Sequence, residues 1–252
     1  MGTDRKVAII AGSAGNLVDG KAKTYLSKRR LVKVIDGTID GKEVVFLPRH
    51  GLHHTIPPHK VKHKANISLL VKKFGVTDIL SISAVGSNDA EKYPVESFVL
   101  ANDFIGFAHD RLTLFNKFKD KPMHAPMGEP YTLSLNNELI KAGKKAGIEI
   151  RTGAVLIDVA GPRFETHAEI EAYKKMGAHL MGMTSVGETI LANEFRLAGH
   201  IVRNSTLLLV TDYTPGTNGS KGTVHEEVKD VAQKQEGSLN EIIRNFVNIV
   251  LG

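Results

Sequence analysis

Short aliphatic runs alternate along this chain with longer amphipathic ones, and that alternation excludes most architectures before any motif is read. Residues 7–10, 44–47, 78–82, 98–100, 154–157 and 206–210 are brief and rich in Val, Ile and Leu, so they read as buried strands. Between them, residues 60–74, 135–146, 167–176, 186–198 and 224–250 place apolar side chains near a 3.6-residue period, which predicts helices. Strands alternating with helices predict an α/β fold around a largely parallel or mixed sheet. No internal repeat and no shift in composition marks a linker, so residues 1–252 read as a single domain. Residues 215–222, Pro-Gly-Thr-Asn-Gly-Ser-Lys-Gly, carry four structure breakers and are expected to form a mobile loop.

Composition narrows the chemistry. The 252 residues contain no Cys, which removes thiolate nucleophiles, disulfides and Cys-based metal sites. No run approaches the roughly 18–20 apolar residues of a membrane span, and residues 1–6 lead into the first strand without a signal-peptide pattern, so a cytoplasmic protein is expected. Lys and Arg exceed Asp and Glu by 33 to 27, a formal charge of +6, which raises an anionic partner. A nucleic-acid surface would need basic residues gathered with aromatic ones; here the bases are interspersed with acids and aromatics make up 6%. A non-catalytic nucleic-acid-binding protein is therefore the remote alternative.

Open α/β sheets bind ligands beyond the carboxyl ends of their strands. The segments just past the strand ends supply the candidates: Gly12-Ser13-Ala14-Gly15, Arg49-His50-Gly51, Ser83-Ala84-Val85-Gly86-Ser87, Gly161-Pro162-Arg163-Phe164-Glu165, Gly182-Met183-Thr184 and Thr211-Asp212-Tyr213-Thr214. Hydroxyls, small residues, an Arg fork, an aromatic ring and carboxylates are what a phosphate, a sugar and a flat base require. The glycine-rich turn is neither a Walker loop nor a dinucleotide fingerprint. Arg49 suits phosphate, with a structural carboxylate as the alternative partner. His50, His53, His54, His59 and His63 lack a carboxylate at zincin spacing, and His225-Glu226-Glu227 lacks a second His, so no metal is expected.

In this order, Arg49-His50-Gly51 with His54, Pro57-Pro58, Val61 and Ala65-Asn66-Ile67, then the serine, Gly-Pro-Arg-Phe, Gly-Met-Thr and Thr-Asp-Tyr motifs, resembles the methylthioadenosine phosphorylase branch of the trimeric purine nucleoside phosphorylases. The resemblance covers most of the chain. It implies a phosphorylase/hydrolase-like fold, a mixed central sheet partly closed into a barrel and flanked by helices, assembled as a homotrimer or as a dimer of trimers. It implies a pentosyltransferase that cleaves the N-glycosidic bond of a purine nucleoside with inorganic phosphate as co-substrate, needing no organic or metal cofactor and no nucleic-acid or membrane partner. Phosphate is then assigned to Ser13, Arg49, His50, Ser83, Ala84 and Thr184. The same resemblance places Met183 under the ribose, Phe164 on the purine and Asp212 as the general acid at N7. His54 and His124 line the 5′ pocket, the latter from a neighbouring subunit.

Two departures bear on the substrate. Thr214 stands where relatives acting on 6-aminopurines carry a second Asp, and Glu165 stands where methylthioadenosine enzymes carry Ser, resembling instead the Glu by which 6-oxopurine enzymes accept from N1–H. Those enzymes usually carry Asn where this chain has Asp212. The Arg-His-Gly motif, His54 and the chain length place S-methyl-5′-thioadenosine, cleaved to adenine and 5-methylthioribose 1-phosphate, ahead of the alternative 6-oxopurine substrates inosine, guanosine or methylthioinosine. The base-site chemistry leans the other way.

Overall fold

The computed structural model describes residues 5–12, 17–109, 111–118 and 120–252. Nine strands form one sheet: β1 (Val7–Ala11), β2 (Asp19–Ser27), β3 (Arg30–Ile39), β4 (Lys42–Pro48), β5 (Asp78–Ser87), β6 (Phe98–Gly106), β7 (Ile150–Asp158), β8 (Leu180–Gly182) and β9 (Arg203–Tyr213). Their order is β2-β3-β4-β1-β5-β8-β7-β6-β9, and β9 returns to pair with β5. That second pairing closes β5, β8, β7, β6 and β9 into a five-stranded barrel, while β2, β3, β4 and β1 extend from β5 as an open wing. Parallel pairs (β1–β4, β1–β5, β5–β9, β6–β7, β7–β8) mix with antiparallel ones. The expected mixed, partly closed sheet is what the chain adopts.

The strand side chains alternate between two apolar faces, as a period of two requires. Val7, Ile9, Val44, Phe46, Leu80 and Ile82 point to one face and pack on α2 (Leu133–Lys145) and α6 (Glu236–Leu251) through Leu135, Leu139, Ile242 and Phe246. Ala8, Ile10, Val45, Leu47 and Ile79 point to the other and meet α1 (His63–Lys72) and α4 (Ser185–Leu197) through Ile67, Leu70, Leu191 and Phe195. Each such buried aliphatic side chain contributes roughly 1.5–3 kcal/mol. A third cluster, including Val85, Val99, Leu156, Leu180, Leu208 and Val210, packs around the barrel strands. α3 (His167–Lys175) opens on a capping box between Thr166 and Glu169.

The β2–β3 hairpin is absent from the sequence reading. β2 is polar and exposed along nearly its whole length, and β3 buries only alternate residues such as Val32 and Val34, so neither forms an aliphatic run. The region 224–250 divides into α5 (His225–Lys234) and α6, which meet at Gln235. Residues 215–222 are closed by turn hydrogen bonds, Gly216 N–H to Ser220 O at 2.9 Å and Ser220 N–H to Thr217 O at 2.9 Å, rather than hanging free. Between β5 and β9 the ladder runs Val85↔Val210 and then Gly86↔Asp212, a bulge in which Thr211 is the extra residue. Among the described residues no helix is long and apolar enough to cross a membrane.

Candidate active site

A cavity of about 490 Å³ opens where β1, β4, β5, β8 and β9 end, lined also by the loop after β7 and the first turns of α4 and α5. It is the size a nucleoside and an anion need. Arg49, His50, His54, Ser83, Ala84, Phe164, Glu165, Met183, Thr184 and Asp212 all contribute to its wall. Side chains from positions 49 to 212 converge because the parallel strands end together at this edge of the sheet. Ser13 lies outside the described residues, although its neighbour Gly12 is part of the lining.

Arg49 departs from the simplest reading of its role. Its guanidinium is buried and paired fork to fork with Glu188, Nε to Oε1 at 2.7 Å and Nη2 to Oε2 at 2.8 Å. Nη2 also donates to Ile10 O, and Nη1 to Ile82 O and, at 3.4 Å, to Ser83 Oγ. Ser81 Oγ donates to Glu188 as well. The structural carboxylate therefore exists, and the Arg49 contact left weakest, and so open to an incoming anion, is the long one at Ser83. The other residues expected to hold an anion are neutral. Thr184, which lines the cavity, is the N-cap of α4 but its side chain caps nothing, so its hydroxyl is left for a ligand at a helix start, a place that favours an anion.

His50 is held by a 2.7 Å hydrogen bond between Nδ1 and Ile56 O. Burial, reinforced by Arg49 and His54, pushes its pKa down to about 4 against the opposing pull of that carbonyl. The ring is thus neutral at pH 7, with the proton on Nδ1 and Nε2 an acceptor. Such a nitrogen can accept the one O–H of HPO₄²⁻. His54 stacks on His50 at 4.6 Å between ring centroids, and His225 stands 6.2 Å beyond. Burial, then His225 and Lys229, lowers the pKa of His54.

At the opposite end, Asp212 is 8% exposed. Its Oδ1 accepts from Thr211 Oγ1 at 2.8 Å and its Oδ2 from Thr223 Oγ1 at 2.5 Å. Burial raises its pKa, with the two hydroxyls opposing and Glu227 assisting. Glu165 is raised too, first by burial and then by Asp212 and Glu169. The nearby Arg163 does not neutralise it, because that guanidinium is engaged by Glu169 at 2.7 and 2.8 Å. Met183 forms part of the wall because Gly161, at φ +59°, has no side chain: a Cβ there would stand 2.5 Å from the Met183 sulfur.

Two expected residues are not in the wall. Thr214 is buried and absent from the lining, its hydroxyl turned to Ser87 O at 3.3 Å and Thr217 Oγ1 at 3.2 Å, while its methyl sits with the Asp212 carboxylate over Gly86. His124 is exposed, packed on Phe118 at 5.3 Å, and does not reach the cavity of its own chain. Conversely, Glu188, Thr223 and Val228 are absent from the sequence reading, and His225, weighed there only as a metal ligand, lines the cavity. A carboxylate in the first turn of an apolar helix that follows a strand-end Thr was the available signal for Glu188. Among the described residues no three His, Asp or Glu side chains gather as metal ligands do.

A sequence model of the phosphorylase superfamily matches residues 6–248. The chain is 35% identical over 257 aligned positions to the 6-oxopurine nucleoside phosphorylase of Pyrococcus furiosus, covering 97% of this chain and 93% of that one. It is 37% identical over 205 positions to the S-methyl-5′-thioadenosine phosphorylase of Thermofilum pendens, covering 81% and 73%. Among solved structures, the methylthioadenosine phosphorylase of Schistosoma mansoni in complex with adenine superposes with a TM-score of 0.87 at 26% identity, covering 98% of this chain and 91% of that one.

Proposed function

The chain belongs to the phosphorylase superfamily, and we propose that it is a purine nucleoside phosphorylase acting on 6-oxopurine nucleosides. The observation that carries the reading is one cavity with an anion-binding end, formed by Thr184 at the open start of α4, Ser83, Ala84 and His50, and a buried acid, Asp212, at the other. Phosphate held at the first end attacks the anomeric carbon from beneath. The transition state is oxocarbenium-like, so the dianion stabilises it electrostatically while proton transfer to the leaving base lowers the barrier. Asp212, whose proton affinity is raised by burial, supplies that proton to N7. It returns to the carboxylate from solvent after the base departs. Phe164 gives the base an apolar face, and Met183 packs below the sugar.

The choice of base rests on Glu165. Its carboxylate accepts from the N1–H of hypoxanthine or guanine, whereas adenine N1 is itself an acceptor. Thr214 is absent from the lining and offers nothing to an exocyclic amine. The sequence similarity to the Pyrococcus enzyme supports the same reading. S-methyl-5′-thioadenosine, placed first on motif grounds, is supported by the similarity to the Thermofilum and Schistosoma enzymes and stands as the second reading. The test is ultraviolet detection of base release from inosine, guanosine, S-methyl-5′-thioinosine and S-methyl-5′-thioadenosine, with and without phosphate. Phosphate-dependent release of hypoxanthine or guanine, faster than of adenine, is expected. Faster adenine release overturns the choice of base, and no phosphate-dependent release overturns the whole reading.

A further inference from the structure

Behind the anion-binding end lies a chain of ionisable groups that the phosphorolysis steps do not use. Asp158 ends β7, His109 follows β6 and His63 begins α1. His109 Nδ1 lies 2.5 Å from Asp158 Oδ2, and His109 Nε2 lies 3.1 Å from His63 Nε2, the two rings meeting edge to face. Asp158 is 0% exposed and His63 5%. Each leaves one buried atom without a partner, Asp158 Oδ1 and His63 Nδ1, which is unfavourable for a polar atom away from water.

The chain also touches the helix that carries the anion site. A Cβ on Gly187 would stand 3.0 Å from His109 Cδ2 and 3.1 Å from Nε2, so the bare backbone there lets the ring rest on the first turn of α4, one residue before Glu188. The charges that face the chain are Arg49 and His50 beside His63, with Glu188 neutralising Arg49. At the other end Tyr131 lies near both Asp158 and Asp103.

Counting protons shows what such a chain can do. When Asp158, whose pKa burial raises against the pull of His109 and the Ala108 backbone, is ionised and both rings are neutral, His109 Nδ1–H donates to Asp158, His63 Nε2–H donates to His109, and His63 Nδ1 is bare; the group carries one negative charge. One more proton, on the unpartnered His63 Nδ1, makes it neutral overall with every hydrogen bond kept. Burial, His109 and the positive Arg49 hold His63 deprotonated. A dianion beside Arg49 and His50 opposes Arg49 and draws a proton toward the chain, against the burial that is the largest cause holding His63 deprotonated. The anion site needs this, since Arg49 is already matched by Glu188 and His50 is neutral.

We propose that His63, His109 and Asp158 are positioning residues that compensate the charge of bound phosphate, taking up one proton from solvent when the dianion binds beside Arg49 and releasing it when the dianion leaves. The proposal rests on the phosphate-site reading given under the proposed function. Sulfate is the probe, because it stays dianionic from about pH 5.5 to 8.5 while phosphate changes its own charge. Calorimetric titration of the full-length protein with sulfate, in two buffers of different ionisation enthalpy, counts protons taken up per anion.

Near pH 7.5 the wild type is expected to take up close to one proton, and its sulfate affinity to fall up to tenfold per pH unit as pH rises. His109→Gln and Asp158→Asn, each checked by thermal melting, are expected to bind sulfate more weakly, with a flat pH dependence and no uptake. No uptake by the wild type overturns the proposal even if neither variant folds, and uptake that persists in both variants assigns the proton elsewhere, to His50 or His54. Failure of the phosphate-site reading looks different: sulfate does not bind, or does not compete with phosphate in turnover.

Discussion

Replacing Glu188 by Gln isolates what the buried Arg49 pair is for. The carboxylate accepts two hydrogen bonds from Arg49, at 2.7 and 2.8 Å, and a third from Ser81. Both side chains of the pair are at most 2% exposed, so solvent cannot take over when the charge is removed. The amide keeps one acceptor for the guanidinium and turns an NH₂ toward its other arm. Removing one member of a buried pair costs about 3–5 kcal/mol, chiefly because the remaining charge is stranded. For a chain of 252 residues the unfolding entropy of about 2.1 cal/mol/K per residue sums to about 0.5 kcal/mol per degree, so the melting temperature falls by about 6–9 °C. The second half of the expectation is a rescue. An anion seated beside Arg49 substitutes for the lost carboxylate, so phosphate raises the melting temperature of the variant more than that of the wild type. Differential scanning fluorimetry over a phosphate series reads both quantities. A loss under about 2 °C, or equal phosphate stabilisation of both proteins, refutes the idea that Glu188 and phosphate share the field of Arg49.

The other perturbations act at the base and sugar. Asp212→Asn lowers kcat by about 10²–10⁴-fold, the usual worth of a general acid, in steady-state assays. Because burial raises the Asp212 pKa in the folded state, native Asp212 binds its proton more tightly than the unfolded chain does, and its ionisation costs stability as pH rises through the folded pKa. The stability of Asp212→Asn relative to wild type is therefore higher at pH 7 than below pH 4, measured by denaturant titration at each pH. Glu165→Gln narrows the preference for inosine over adenosine in kcat/KM by roughly tenfold or more, since a charged acceptor for N1–H is lost. Gly161→Ala drives a methyl group toward the Met183 sulfur and strains a positive φ; KM for nucleoside rises and about 1–2 kcal/mol of stability is lost.

The strands that bury both faces were legible because a doubly covered strand is a run of aliphatic residues, and β1, all five of whose residues are buried, is the clearest case. β3 was not, since it hides only alternate residues, although Asp40-Gly41 between it and β4, at φ +50° and +78°, is a hairpin signal that could have found it. Three-residue β8 is too short to carry any pattern. Much of the site was legible for a topological reason: Arg49, His50, Met183 and Thr184 come directly after β4 and β8, and Ser83, Ala84 and Asp212, although inside β5 and β9, come just past the aliphatic runs that reveal those strands. Glu188 was hidden because its meaning depends on an arginine 139 positions away. His63, His109 and Asp158 come from three separate elements and become a unit only in space.

The bulge between β5 and β9 makes the length of one strand a chemical parameter. Leu208 and Val210 belong to the cluster packed around the barrel strands, and plain alternation would turn residue 212 to the same side. The extra residue, Thr211, reverses that parity just before Asp212. A chain lacking Thr211 would still set the acid opposite Gly86, one step past Val210, but would lose the hydroxyl that donates to its Oδ1 at 2.8 Å. The inserted residue thus serves the acid as a hydrogen-bond donor and leaves unchanged the side to which the acid points.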